Sequence, residues 1–248
     1  PEIVVPATPL GQQLGRARTA ARLPAVAGVR VTLDGEPVAH AFGVRRAGSA
    51  ELVADGDHFH LGSNTKAITA MLLGALVEDG VLTWERTLSE SFPDLAAEMA
   101  PAWRAVTLRQ LLTHRAGLAP FTTPAELPVA QHEGGEAREH QHVAAAVAER
   151  ATGQDWETLL RTRLLAPLGI AATAVRVGWP GLVGTAPWGH VSNGSGWSAH
   201  APTDGRILAI PAALAPAGDL AMTMAAYGRV LQAHVRGLAG RDGVVRAA

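Results

Sequence analysis

Phe59-His-Leu-Gly-Ser63-Asn-Thr-Lys66-Ala-Ile-Thr-Ala70 is the stretch from which the rest of the chain is best read. Serine is a favoured residue at a helix start, and Ile68, Met71, Leu72, Ala75 and Leu76 follow at helical spacing until Gly80 ends the run. The pattern predicts a buried helix that opens at Ser63. Positions i and i+3 share one helix face, so Ser63 Oγ and Lys66 Nζ are expected within hydrogen-bond reach of each other. Ser63 would sit where the helix dipole and free backbone N–H groups favour a developing negative charge. Lys66, flanked by Ala67 and Ile68, would be desolvated. That favours an uncharged amine able to accept the serine proton. The ordinary explanation of such a spacing is a capping serine followed by a solvated lysine, so the surroundings must decide.

Composition sharpens the question. Lys66 is the only lysine among 21 basic residues, and the other 20 are arginine. Arginine stays protonated, whereas lysine can release its proton when desolvated, so a lone lysine in an arginine-rich chain suggests a task arginine cannot do. The net charge of -1 gives no basic field for nucleic acid. With no cysteine, disulfides, thiolate catalysis and cysteine-type zinc sites are excluded. Nearly half of the 248 residues (48%) are hydrophobic, enough for a sizeable core. The longest apolar stretch, Ala67 to Val77, is too short to span a bilayer. The chain starts with Pro1 rather than Met, which suggests a processed N-terminus and tips the expected location slightly towards periplasmic or secreted.

Outward from the central helix, Gly11 to Arg22 reads as a surface helix. Ala25 to Leu33 and Pro37 to Val44 read as two strands joined at Asp34-Gly35 in a hairpin. Thr107-Leu-Arg-Gln110 has the capping-box pattern of a helix start. Helices are expected over Val143 to Thr152, Trp156 to Leu165 and Met222 to Val235. Residues 120 to 140 and 178 to 206 read as irregular connections.

These landmarks together carry a resemblance. The Ser63–Lys66 stretch resembles the active-site helix of serine β-lactamase-like and penicillin-binding-protein-like enzymes, including class C β-lactamase, esterase and D-aminopeptidase relatives. Val77-Glu-Asp-Gly-Val-Leu82 resembles the end of that helix. Val106-Thr-Leu-Arg-Gln-Leu-Leu-Thr-His-Arg-Ala-Gly-Leu118 resembles a second landmark of the family. Glu149-Arg-Ala-Thr-Gly153 and Leu164-Leu-Ala-Pro-Leu-Gly-Ile170 resemble a third, and Pro187-Trp-Gly-His190 and Ala215-Pro-Ala-Gly218 resemble later ones. The resemblance implies an α/β (α+β) fold of one domain: an antiparallel sheet flanked by helices, with a mainly helical region over Leu88 to Ile170. It also implies a serine hydrolase or acyltransferase acting on an ester, amide or β-lactam through an acyl-enzyme on Ser63, with a small-molecule or peptide substrate and no cofactor.

The sequence also departs from that pattern. The family's Tyr-x-Asn loop falls by spacing on Glu136 and Arg138, and neither fits. Glu136, His140 and His142 are then the nearby acid–base candidates, against the ordinary reading of solvated side chains. The single tyrosine, Tyr227, falls inside the last helix and reads as a packing residue. The family's late strand, which supplies an oxyanion-hole N–H, has no counterpart after Tyr227. His190, in His190-Val-Ser-Asn-Gly194, is the candidate substitute in substrate binding. His114 reads as a structural hydrogen-bonder. His58 and His60 lack a third partner, so no metal is expected. The sheet is expected to be incomplete at the C-terminus, with association through its open edge. Three readings stay open: an active acyl-transfer enzyme, a catalytically impaired relative acting as a binding or scaffold protein, or a piece of an active enzyme.

Overall fold

A computed structural model describes residues 2–118, 140–179, 186–201, 210–241 and 243–244. In chain order, the helices and strands of its first part are α1 (Pro9–Ala21), β1 (Ala25–Arg30), β2 (Val38–Gly43), β3 (Phe59–His60), α2 (Asn64–Glu78), α3 (Leu88–Ser91), α4 (Pro101–Arg104) and α5 (Leu108–Leu112). After these come α6 (His140–Thr152), α7 (Trp156–Leu159), a π-helical turn (Leu160–Leu165), β4 (Val175–Val177), β5 (Gly189–Ser192), β6 (Trp197–His200), α8 (Ala215–Gly218), β7 (Leu220–Met222) and α9 (Met224–Leu238). Every strand pairing among the described residues is antiparallel, as the sequence predicts. The chain divides into two compact units.

The first unit comprises Pro1–Leu61, Ile170–Ala209 and Leu220–Ala239. Its hairpin β1–β2 runs in continuous register from Ala25↔Gly43 to Arg30↔Val38, and no third strand joins it among the described residues. The hairpin is packed on both faces, by α1 and by α9. Glycine at two contacts makes this possible. A Cβ on Gly28 would stand 2.8 Å from Leu14 Cδ2 of α1, and one on Gly228 of α9 would stand 2.7 Å from Val29 Cγ2. Gly28 and Val29 are consecutive, so they face opposite ways from the pleat and meet different helices. The short strands β3, β7 and β4 form a second sheet in that order, with Phe59↔Met222 and Val175↔Met222 in register.

A third sheet, the hairpin β5–β6, lies within residues 178–206, which the sequence reading assigns to irregular connection. Its strands carry few apolar residues, so periodicity does not reveal them. The turn Asn193-Gly194-Ser-Gly196 does. Asn193 Oδ1 accepts from the N–H groups of Ser195 and Gly196, a side-chain-mediated turn of the kind asparagine favours.

The second unit comprises Gly62–Gly169, Ile210–Asp219 and Gly240–Ala248. Its centre is α2, whose Ile68, Leu72, Leu73 and Leu76 are wholly or almost wholly buried. Around it pack α6, the Leu160–Leu165 turn and α8. A helix apolar on nearly all sides belongs inside a core, and α2 is that helix. The predicted capping box at Thr107 is formed: Thr107 Oγ1 accepts from Gln110 N, and Gln110 Oε1 accepts from Thr107 N. A second, at Thr87 and Glu90, starts α3.

Candidate active site

Ser63 stands at the head of α2, and the backbone turns sharply to put it there. Gly62 has φ +54, a left-handed conformation that a side chain would strain, and Ser63 already has helical angles. Serine at a helix start ordinarily caps the first turn with its own hydroxyl. Ser63 makes no such bond. Thr65 ties the turn instead, its Oγ1 donating to Gly62 O at 2.7 Å and its N–H to the same oxygen at 3.0 Å. The Ser63 side chain is exposed at the helix N-terminus, with its hydroxyl not engaged in capping.

The expected enclosure of the pair is corrected in two respects. Ser63 is exposed and Lys66 half-buried, and Ala67 beside them is exposed as well. Ser63 and Lys66 are joined through the backbone, Lys66 N donating to Ser63 O at 3.1 Å, but not through their side chains. Lys66 Nζ donates instead to the carbonyl oxygen of Ala217 at 2.7 Å. One turn further along, Thr69 Oγ1 donates to Pro216 O at 2.7 Å, and Thr69 is fully buried. Two side chains of α2 at i and i+3 therefore grip consecutive carbonyls of the Ala215–Gly218 turn. This was not legible in the sequence, since both acceptors lie about 150 residues away on the main chain.

Of the other candidates, Glu136 lies outside the described residues, as does Arg138. His140 opens α6 and is 6% exposed. Its ring lies 4.8 Å from that of His114, centroid to centroid, and His114 Nε2 is 3.2 Å from Gln141 Nε2. His114 itself has φ +56, a conformation few residues other than glycine adopt. His142 lies half-buried on the same helix.

His190 belongs to strand β5 of the first unit, not to an irregular loop. Its Nε2 accepts from Ala47 N at 3.0 Å, Trp188 N donates to Arg45 O at 2.8 Å, and the Arg46 guanidinium lies over the Trp188 ring. Burial pushes the His190 pKa below the usual histidine value, over the opposing effect of its hydrogen bond with the Trp188 backbone. The Nε2 lone pair is thus engaged by the main chain.

His58 Nε2 lies 2.9 Å from Thr173 O and His60 stacks on Trp179 at 4.4 Å. Among the described residues no group of three or more His, Asp or Glu side chains is arranged to hold a metal ion. Tyr227 lies half-buried inside α9. No helix among the described residues is long and apolar enough to cross a membrane.

A mixed frame of helices and antiparallel sheets like this one is shared with solved penicillin-binding and β-lactamase-type folds. The Beta-lactamase family model matches residues 13–248, and the chain belongs to that family. Penicillin-binding protein 4 of Amycolatopsis lactamdurans is 29% identical over 177 residues, which is 62% of this chain and 45% of that protein. The chain thus spans less than half the length of this curated relative.

Among solved structures, D-alanine carboxypeptidase AmpC from Burkholderia cenocepacia superposes with a TM-score of 0.67 at 21% identity, covering 90% of this chain and 62% of that one. The LovD6 mutant of simvastatin synthase (LovD) from Aspergillus terreus superposes at 0.70 with 21% identity, covering 94% and 65%. Both likenesses concern the fold.

Proposed function

We propose that this chain carries the nucleophile-bearing part of a serine hydrolase or acyltransferase, with Ser63 as nucleophile and Lys66 as its proton acceptor. The observation that carries the reading is the division of labour at the head of α2. The N–H groups of Thr65 and Lys66 are taken by the carbonyls of Gly62 and Ser63, so the exposed Ser63 hydroxyl is not used for capping, and Lys66 follows one turn on. In the reaction, Lys66 in its uncharged form takes the hydroxyl proton as Ser63 Oγ attacks the carbonyl carbon of an ester, amide or β-lactam. The N–H groups at the helix start favour the oxyanion. Collapse of the intermediate breaks the bond to the leaving group, which receives a proton, and leaves the acyl group on Ser63. Water or another acceptor then removes it.

The Nζ–Ala217 bond holds the lysine without consuming the uncharged amine's lone pair, since a carbonyl oxygen only accepts. Catalytic hydrogen bonds commonly tighten only once substrate is bound, so a pair not yet in contact is compatible with this role. A second reading, a catalytically impaired binding relative, draws on Glu136 and Arg138 standing where the family carries tyrosine and asparagine.

Intact-protein mass spectrometry after incubation with a β-lactam and with an activated ester separates the two. A mass increase equal to the acyl group, absent in Ser63→Ala, supports the enzyme. No increase with either reagent, together with reversible binding of the β-lactam, supports the binding relative.

A further inference from the structure

Thr69 sits on α2 one turn beyond Lys66 and is fully buried. A threonine inside a helix ordinarily turns its hydroxyl back to a carbonyl of its own preceding turn. Thr152 and Thr162 do so, donating to Ala148 O at 2.8 Å and to Thr158 O at 2.7 Å. Thr69 donates out of its helix instead, to Pro216 O at 2.7 Å, and Lys66 Nζ donates to the next carbonyl, Ala217 O, at 2.7 Å. Both acceptors belong to α8, a single turn made of Ala215, Pro216, Ala217 and Gly218, all buried. A helix this short closes few of its own carbonyl bonds, so its carbonyls need partners from elsewhere. None of its side chains can form a hydrogen bond. Packing on methyl groups and a proline ring fills space but has no direction. Bonds to the carbonyls therefore set the rotation of the turn about its axis.

The two grips differ in stiffness. Thr69 is restricted at χ1 and enclosed on all sides. Lys66 reaches Ala217 on a flexible four-carbon stem and is half-buried. The rigid bond fixes the turn, and the turn then fixes the lysine. We propose that Thr69 is a positioning residue: its hydroxyl holds the Ala215–Gly218 turn so that Ala217 O keeps Lys66 Nζ in place for Ser63. The effect on acylation rests on the proposed roles of Ser63 and Lys66, whereas the hold on the lysine side chain does not.

The test uses the fact that Lys66 is the only lysine in the chain. The full chain made with isotope-labelled lysine gives one set of lysine side-chain NMR signals. An ordered lysine shows separate shifts for its two ε-hydrogens, and fast rotation averages them. Separate shifts are expected in the unaltered chain. Thr69→Val keeps the shape of the side chain but lacks the donor, and the two shifts should converge. Thr69→Ser keeps the donor and should keep them apart. Acylation by an activated ester should slow about tenfold to hundredfold in Thr69→Val, the scale of a misplaced catalytic group, at an unchanged half-saturating ester concentration. Thr69→Ser should recover most of that rate. Thr69→Ala replaces Thr69→Val if the valine variant does not fold.

Averaged ε-hydrogens in the unaltered chain, or an unchanged separation in Thr69→Val, would overturn the hold on Lys66. Averaging in Thr69→Ser would do the same, since the donor is still present. A threonine that only satisfies a buried carbonyl would leave the acylation rate of folded Thr69→Val unchanged, and that result overturns the positioning role. If the unaltered chain never acylates, the proposed reaction fails, and the ε-hydrogen shifts still decide whether Thr69 holds the lysine.

Discussion

Lys66 and Ala217 are joined by a 2.7 Å hydrogen bond from Nζ to a main-chain carbonyl, so the lysine is held by backbone that no side-chain substitution at position 217 can remove. Ser63→Ala should abolish covalent labelling. Lys66→Arg can still donate to the same carbonyl but cannot accept a proton. Its labelling rate should fall by about a hundredfold to ten-thousandfold, the usual worth of a positioned base. Stopped-flow or mass-spectrometric labelling rates check this, and full activity in Lys66→Arg would refute the base role.

A second prediction concerns Asp57, whose side chain is 4% exposed. Arg45 Nε and Nη2 each reach one of its oxygens at 2.7 Å, and Ala54 N donates at 3.1 Å. Arg45→Ala leaves a buried carboxylate without its cation and should destabilise the fold by about 3 kcal/mol. Urea titration measures it. Removing both partners together should cost less than the sum of the two single changes.

Gly228→Ala tests the packing of α9. Alanine in place of glycine inside a helix ordinarily gains up to about 1 kcal/mol. Here the added Cβ would meet Val29 Cγ2 at 2.7 Å and Pro37 Cβ at 2.8 Å, and the proline ring cannot yield. Overpacking of this kind costs about 1–3 kcal/mol, so the net change should be a lowered midpoint in thermal unfolding.

Stability should also fall with acid in a defined window. Burial, the largest influence on both, pushes the pKa values of His58 and His190 below the ordinary histidine value. The folded chain then binds fewer protons than the unfolded one below about pH 6.5. Their contribution is complete above that pH and is lost as pH falls through the folded values. Denaturation curves between about pH 5 and pH 8 should show this slope, flattened in His58→Gln with His190→Gln.

What the sequence made legible follows the range of the interactions. The hairpin at Asp34-Gly35, the capping box at Thr107 and the helix after Ser63 are all local, written within a few residues of one another. Strands β3, β4 and β7 are two or three residues long and exist only because Phe59, Val175 and Met222 meet across the chain. No periodicity can declare them. The same holds at the candidate site. The Ser63–Lys66 spacing is readable, but the carbonyl that Lys66 finds, 151 residues away, depends on tertiary placement. The engagement of the His190 ring by Ala47, 143 residues away, likewise leaves no trace in the sequence.

The grip of α9 on the first hairpin bears on synthesis. Gln232 Nε2 donates to the carbonyl of Thr32 at 2.8 Å, and Arg236 Nη1 donates to that of Leu33 at 2.9 Å, each across about 200 residues. During translation the hairpin emerges early, yet one of its faces stays open to solvent until the ribosome has delivered α9. For most of that time Val29 and Pro37 are bare apolar surface on a nascent chain, the kind of exposure that recruits chaperones. Helix α2 and α3 to α5 lie close in sequence and can associate well before then. The second unit is therefore expected to gain structure first, with the β1–β2 hairpin among the last segments to be sealed.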